Sequence, residues 1–568
     1  MTLRFSAVFS ILIFSSAWWI PSKGIASVNM RNGSYTEKWV DIIVPGDGYD
    51  LNLERYYSSR SLYIGIFGFG WCSKFETKLE VSSSGEIIVS DCGGGLEATY
   101  YPQGFDPISA AQTTDSILRS IKTGARKVSN ASDKTLKDRL LTDPFERFNL
   151  ARRYQIVDGK TFLNRKAIFV SKRSKLDKIE FTGKYYIHRQ KNGEIAKFDS
   201  RGRLIQLVDR QGHKVQIQYR GGRISFISDG KGRQLLFTYN KGGNVEKITN
   251  GSGLSVAYSF EGEDLTEVTN AWRNTYFFEY DRAHNLTKVS FPGGTSISMT
   301  YDTKRDWITK YNDRILCRDD YDYTSSPEAP KDHYWSVYKR KCPKKVNGGK
   351  YEFWYKTHNS GNGKYLERIQ ALVDRDRLDS LLHPYLGEPL KITSNNFVET
   401  FSYLDLGLKS RSDSKSYDSK KRLVQKETTK YTYNKSYRQV TQVNRTRTQT
   451  GSKKSNLFQT SFKYARNGLL KSAKTKGGET ISVAWSNSGK ILELNSPKGT
   501  KLTLRYSPDF PKPKVIDSKY GAVEINYTPT GEVLSVTSKK GNAIAAKVVQ
   551  AFVGYIDVIS PAVDDLKI

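Results

Sequence analysis

Six histidines, His188, His213, His284, His333, His358 and His383, are the side chains of this 568-residue chain best suited to general-base or metal chemistry. None has a helical i,i+4 partner, and each falls in or beside a turn-like stretch. Each is therefore expected to be a solvated polar residue rather than a base or ligand. The clusters Asp319-Asp320-Tyr321-Asp322 and Asp374-Arg375-Asp376-Arg377 could offer oxygens to a calcium ion. The second is neutralised by its own arginines, and neither has the glycine spacing of a calcium loop. Glycosidase chemistry needs two carboxylates that meet only in space, and no local pattern singles out such a pair. A hydrolase of cell-wall polymers is thus the least favoured reading, and the chain is expected to be a non-enzyme without metal or cofactor.

Four cysteines, Cys72, Cys92, Cys317 and Cys342, admit three pairings. No pair has C-x-x-C spacing and no histidine lies near one, which argues against zinc. Arg4, the apolar run Phe5–Ile20 and the small residues Gly24 and Ala26 have the order of a secretory signal over residues 1–26. The run is 16 residues, shorter than the ~20 of a spanning helix. Export into an oxidising compartment makes two disulfides the expectation. Local pairing, Cys72 with Cys92 and Cys317 with Cys342, would close two hairpin-sized loops. The expected location is the periplasm, the outer surface or the extracellular space.

The formal charge is +32, and +30 without Arg4 and Lys23. Residues 401–480 hold 19 Lys/Arg against 5 Asp/Glu. Such a field attracts polyanions. Lys420, Lys421, Arg422, Arg445, Arg447, Lys453 and Lys454 are the candidate contacts. For an exported chain the matching partners are lipopolysaccharide, acidic glycans or anionic headgroups, with nucleic acid not the expected one. A charged face that only keeps a β-rich array soluble is the plain alternative.

The elements that would carry these residues are set by a repeat. Aromatic residues recur every 20–21 positions at Phe198, Tyr219, Tyr239, Phe260, Tyr280 and Tyr301, and again at Tyr464, Trp485, Tyr506 and Tyr527. Such a period means stacked units that cannot bury their apolar faces alone. Within a unit, apolar residues alternate, as in Ile297, Met299 and Tyr301, between turns rich in glycine. Alternation with a turn about every ten residues specifies a β-hairpin with one buried face. Glycine at these turns supplies the positive φ that matches strand twist.

With Tyr280-Asp281 and Tyr301-Asp302, the chain resembles the YD-repeat family of Rhs-type proteins. The upstream segments Val44-Pro45-Gly46, Leu51–Ser61 and Phe67-Gly68-Phe69-Gly70-Trp71 are similar to the N-terminal domain that precedes those repeats. The resemblance implies a long β-strip spiralling into a shell that often encloses a C-terminal toxin. Asp106-Pro107 and Asp143-Pro144 precede the repeats and lack the self-cleavage motif, and fewer than 30 residues follow Gly541, so toxin delivery is not carried over.

The expected fold is mainly β: a hairpin strip curled into a spiral or partial shell, with a helical insertion and a capping helix. The expected organisation is a signal (1–26), an N-terminal β domain (27–104), a helical insertion (105–155) and a first repeat block (156–302). Degenerate basic repeats with insertions (303–455), a second block (456–543) and a capping helix (544–568) follow. The tail is expected to be too short and too charged (Lys547, Asp557) to span a membrane. The favoured function is a non-catalytic envelope or surface scaffold that binds glycan or another polyanion. The alternative is a small shell carrying a separately encoded toxin or effector.

Overall fold

Thirty-six antiparallel strands, from Lys78–Val81 to Val533–Thr537, follow one another in a single sheet in the computed structural model. The model describes residues 28–563 apart from 45–48, 50, 83–84, 93–95, 104–106, 124–132, 143–145, 148–149, 152–153, 155–166, 172, 211, 315, 359–363, 405, 437–438, 453–454, 487–488, 498, 507–512 and 528–532. The proposed signal, residues 1–26, lies outside the described residues, as do Lys453 and Lys454. Each strand pairs with its chain neighbours, as short turns dictate. Among the described residues no ladder joins the last strand to the first, so the strip is open.

The recurring aromatic has a defined task in each hairpin. The pairing register shifts by one residue at Phe198, Tyr219, Tyr239, Phe260, Tyr280, Tyr301, Tyr464, Trp485, Tyr506 and Tyr527. A bulge frees a backbone group and bends the strand. At Tyr219, Tyr239, Tyr280, Tyr301, Tyr464, Trp485 and Tyr506 the aromatic then reaches back to the opening of an earlier strand. Tyr219 Oη donates to the Leu204 carbonyl at 2.8 Å, Tyr280 to Leu265 at 2.9 Å and Tyr301 to Leu286 at 2.9 Å. Trp485 Nε1 does the same to Leu470 at 2.7 Å. The aspartate that follows closes the turn: Asp281 Oδ1 accepts from the Ala283 and Asn285 amides, both at 2.9 Å. A tyrosine thus ties neighbouring hairpins, and an aspartate holds the local turn.

Between residues 303 and 455 the beat is stretched rather than lost. The extra residues lie inside strands of 10–13 residues such as His333–Cys342, Lys345–Thr357 and Leu423–Tyr433. The tyrosine bond persists at Tyr323, Tyr403 and Tyr433, which donate to the carbonyls of Ile308, Pro389 and Lys409. Longer strands change the period without breaking the ladder, which is why the repeat faded from the sequence.

The strip winds back on itself. The Leu79 amide, in the first strand, donates to the Gly202 carbonyl at 2.9 Å. Ser174 Oγ donates to the Leu406 carbonyl at 2.7 Å and Lys191 Nζ to that of Gly407 at 3.1 Å. Turns more than 200 residues apart therefore abut. Helices Pro107–Thr123 and Asp133–Thr142 leave the strip between its third and fourth strands, Leu96–Gln103 and Ile168–Ser171.

The N-terminal strands Thr36–Val44, Leu51–Ser58 and Trp71–Ser73 form a small separate sheet that shares one core with the repeats up to Leu382. Its loops and side chains take amides that the strip leaves unpaired: Val245 donates to the Ile66 carbonyl, Ile308 to that of Gly33 and Leu286 to Tyr57 Oη. Buried backbone groups require such partners. At its centre Arg55, fully buried, pairs with Asp41, which also accepts from Tyr258 Oη at 2.8 Å. The Arg55 guanidinium lies 4.5 Å from the Trp71 ring, and Trp71 Nε1 donates to Tyr280 Oη at 2.8 Å.

A second core covers strands from Val440 onward under helix Asn542–Ile559, which buries Ala545, Val548, Phe552, Tyr555, Ile556 and Ile559. Tyr555 Oη both accepts from the Thr500 amide and donates to its carbonyl. The helix differs from the expectation of a tail too short and too charged to span a membrane. By length and composition the 21 residues Asn542–Ala562 are sufficient, and 33% of the apolar window is buried against the sheet.

Glu76 links local capping to pH. It is buried and accepts from the amides of Ser73 and Ile66, both at 2.9 Å. Burial nonetheless pushes its carboxyl up to about 7, so the folded chain keeps a proton that the unfolded chain releases near 4.5. Stability from this group is therefore full below pH 4.5 and is lost as pH rises to about 7, a decline of about 3 kcal/mol. Urea midpoints measured across that window should fall less steeply in Glu76→Gln; an unchanged slope refutes the assignment.

Candidate polyanion-binding face

Four long strands carry the basic middle: Lys409–Tyr417, Leu423–Tyr433, Val440–Gln449 and Ser455–Tyr464. Side chains alternate between the core face, shared with both apolar cores, and an outer face. Register assigns each residue to one of them. Thr428 opposes Asp413 and Thr446; Lys430 opposes Arg411 and Asn444; Lys426 opposes Lys415. All of these occupy the outer face. Thr428, Lys430, Asn444, Thr446, Leu457 and Gln459 line a shallow depression of about 320 Å³ there.

The charges on this face are unevenly compensated. Arg411 is held by Asp413 through two bonds, at 2.7 and 2.8 Å, which keep the Asp413 carboxyl below its ordinary range. Lys415, Lys426 and Lys430 are exposed and, among the described residues, none lies within ion-pair distance of a carboxylate, although Lys430 helps to hold the Asp413 carboxyl down. Lys415 and Lys426 sit directly across a strand pair, an arrangement that costs stability. Both strands are paired on each side, so protecting a free sheet edge does not account for these lysines.

The core face differs. Arg445 and Arg447 point there, 3.2 and 2.8 Å from Glu427, and Arg445 also approaches Asp557 of the C-terminal helix at 4.0 Å. Glu399, Ser412 and Thr429 line the same face, and burial raises the Glu399 carboxyl. Phe458 is 49% exposed beside Arg447. Between the two apolar cores, the core face is thus polar.

The seven basic residues picked from sequence do not form one cluster. Lys420, Lys421 and Arg422 occupy a turn organised by Asp418, which accepts from the amides of Lys420 and Arg422 and pairs with Arg422. Lys421 Nζ bonds the Asn395 carbonyl. Arg445 and Arg447 face the core side. The exposed lysines 415, 426 and 430 were not singled out. Their alternation within each strand was a usable signal, but only once a core residue had set the parity.

One histidine departs from the expected placement in or beside a turn. His188 lies within strand Tyr186–Arg189, not in a turn, and is buried against Tyr100 Oη at 2.9 Å and Asp177 at 2.7 Å. His333 opens strand His333–Cys342 and stacks on Trp354. His213 and His284 pair with Asp209 and Asp264. Asp319 and Asp320 are occupied by Arg340 and by Arg318 and Lys341. Among the described residues no group of three or more His, Cys, Asp or Glu is placed to hold a metal.

The architecture is that of a YD-repeat strip: hairpins tied by tyrosine and closed by aspartate, with an N-terminal sheet docked on them. Residues 175–332 match the family model described as Teneurin YD-shell, and residues 26–98 match one described as a domain of unknown function, DUF6531. These matches are consistent with a YD-repeat protein of the Rhs type. No curated protein matches it. Similar solved structures include the Tc holotoxin pore of Photorhabdus luminescens with a TccC3 mutation, at 10% identity and a TM-score of 0.39 over 89% of this chain. They also include a TcdB2-TccC3-Cdc42 crystal structure, at 10% and 0.30 over 87%. A porin-like protein from Bacteroides uniformis matches at 13% and 0.15 over 42% of this chain and 94% of its own. The chain spans 29% and 32% of the two toxin chains.

Proposed function

We propose that this protein is an exported, non-catalytic scaffold of the bacterial envelope or surface whose outer face binds an acidic glycan such as lipopolysaccharide. The carrying observation is the row of exposed lysines 415, 426 and 430, with Lys415 directly opposite Lys426 beside a depression lined by Thr, Asn and Gln. Like charges placed directly opposite each other, as Lys415 and Lys426 are, lower stability unless an anion offsets them. The hydrogen-bonding residues beside them suit hydroxyl-rich chains. Localisation in the envelope or outside the cell belongs to the same reading.

The protein should be retained on immobilised heparin and lipopolysaccharide at low salt and released as salt screens the lysines. The variant Lys415→Gln/Lys426→Gln/Lys430→Gln should bind roughly tenfold more weakly, from three surface contacts of modest strength. Equal retention of variant and parent would remove the reading.

A second reading, a carrier for a separately encoded polypeptide, has its own support. The strip winds back on itself, and its core face is polar between the two apolar cores.

A further inference from the structure

We propose that Cys72 and Cys92 form a second disulfide bond, which fastens the N-terminal sheet to the first hairpin of the strip. Cys72 lies in Trp71–Ser73, opposite Tyr56 in the N-terminal sheet. Cys92 lies in the turn between strands Ile87–Asp91 and Leu96–Gln103 of the strip. The first two strip strands pair with Lys78 opposite Ser90, and Thr77 Oγ1 donates to Asp91 Oδ1 at 3.0 Å. That register carries residue 92 back alongside the segment that leaves Cys72. The two thiols are interacting neighbours, and both are unbonded in this structure.

Three further features fit a bond. Cys92 has φ +51°, a left-handed conformation that cysteine adopts only where the surroundings impose it. Cys72 is buried, so a thiol from outside cannot reach it, whereas Cys92 is half-exposed. The same chain already bonds Cys317 to Cys342, bridging strand His333–Cys342 to the turn before Arg318–Ser325. Bonds of this kind persist where thiols are oxidised.

The exposures set the order of events. The Cys92 thiolate attacks the disulfide of an oxidised dithiol donor, a protein or small molecule, and expels one donor thiolate. Cys72, deprotonated in turn, attacks Cys92 Sγ and expels the second. Two protons and two electrons leave the cysteine pair, and the donor disulfide is reduced to two thiols. The Cys92 neighbour and burial hold the Cys72 thiol above its ordinary range, so Cys72 is not the thiol that makes the first attack.

The test is alkylation of the full chain under denaturing conditions, after folding in a glutathione redox buffer. The unreduced protein should take up no alkyl group and the reduced protein four, with a non-reduced peptide joining Cys72 to Cys92. Two alkyl groups at Cys72 and Cys92, or a peptide joining either to Cys317 or Cys342, overturns the proposal. In Cys92→Ser, Cys72 should stay unmodified in the native protein and become fully alkylated on denaturation. Rapid native modification of Cys72 would contradict the buried approach on which the latch depends.

Discussion

Arg55→Met should cost about 3–5 kcal/mol and release the N-terminal sheet from the repeats, because it leaves Asp41 charged and buried with only Tyr258 to solvate it. Arg55 contributes more than charge. Its guanidinium lies against Trp71, Tyr258 and Phe278, so the variant also loses packing and cation–π contact. Urea unfolding followed by tryptophan fluorescence reads the change directly, since Trp71 sits beside it. Limited proteolysis should then cut within residues 28–76 while sparing the second repeat block. The double variant Asp41→Leu/Arg55→Met should recover most of the loss, because the penalty comes from an unpaired buried charge. A loss under about 1 kcal/mol in Arg55→Met would show that the ion pair does not anchor this sheet.

The second large effect is expected at the seam where the strip meets itself. Gly202 has φ +75°, and a Cβ there would overlap the Leu79 carbonyl in the strip's first strand. Gly202→Ala therefore adds backbone strain of about 1–2 kcal/mol to a steric overlap of about 1–3 kcal/mol, and a total near 3 kcal/mol is expected. The overlap is with backbone, so no rotamer change relieves it. Gly212→Ala is the matched control: φ is +86°, but the added Cβ would meet nothing within 4 Å. It should lose only the strain. Hydrogen exchange separates the two, since the Leu79 amide loses its acceptor only when the seam opens. Equal destabilisation of both variants would mean that the contact at Gly202 contributes nothing.

Much of the hairpin chemistry was legible in advance. Val215, Ile217 and Tyr219 alternate because a strand has period two, and glycine marks turns because their φ is positive. The Cys317–Cys342 bond follows from the same local geometry, a hairpin closed near its base. The candidate face was less legible. Arg445 and Lys430 come from adjoining strands of similar composition, yet register puts one on the core face and the other outside. The bulge at Tyr433 shifts parity, so counting by two fails across each turn. His188 lies in a strand of only four residues, and its partners come from elsewhere: Tyr100 from strand Leu96–Gln103 and Asp177 from the bend before Lys178–Phe181.

The sequence by itself determined the repeating hairpin, since each unit's alternation and turn glycines act over fewer than about 20 residues. Only the tertiary structure decided which amides the N-terminal sheet completes, where the winding strip touches itself, and which lysines share the outer face. Those contacts join residues as far apart as Gly33 with Ile308, or Ser174 with Leu406. They depend on the accumulated twist and bulges of many strands, which no local pattern encodes.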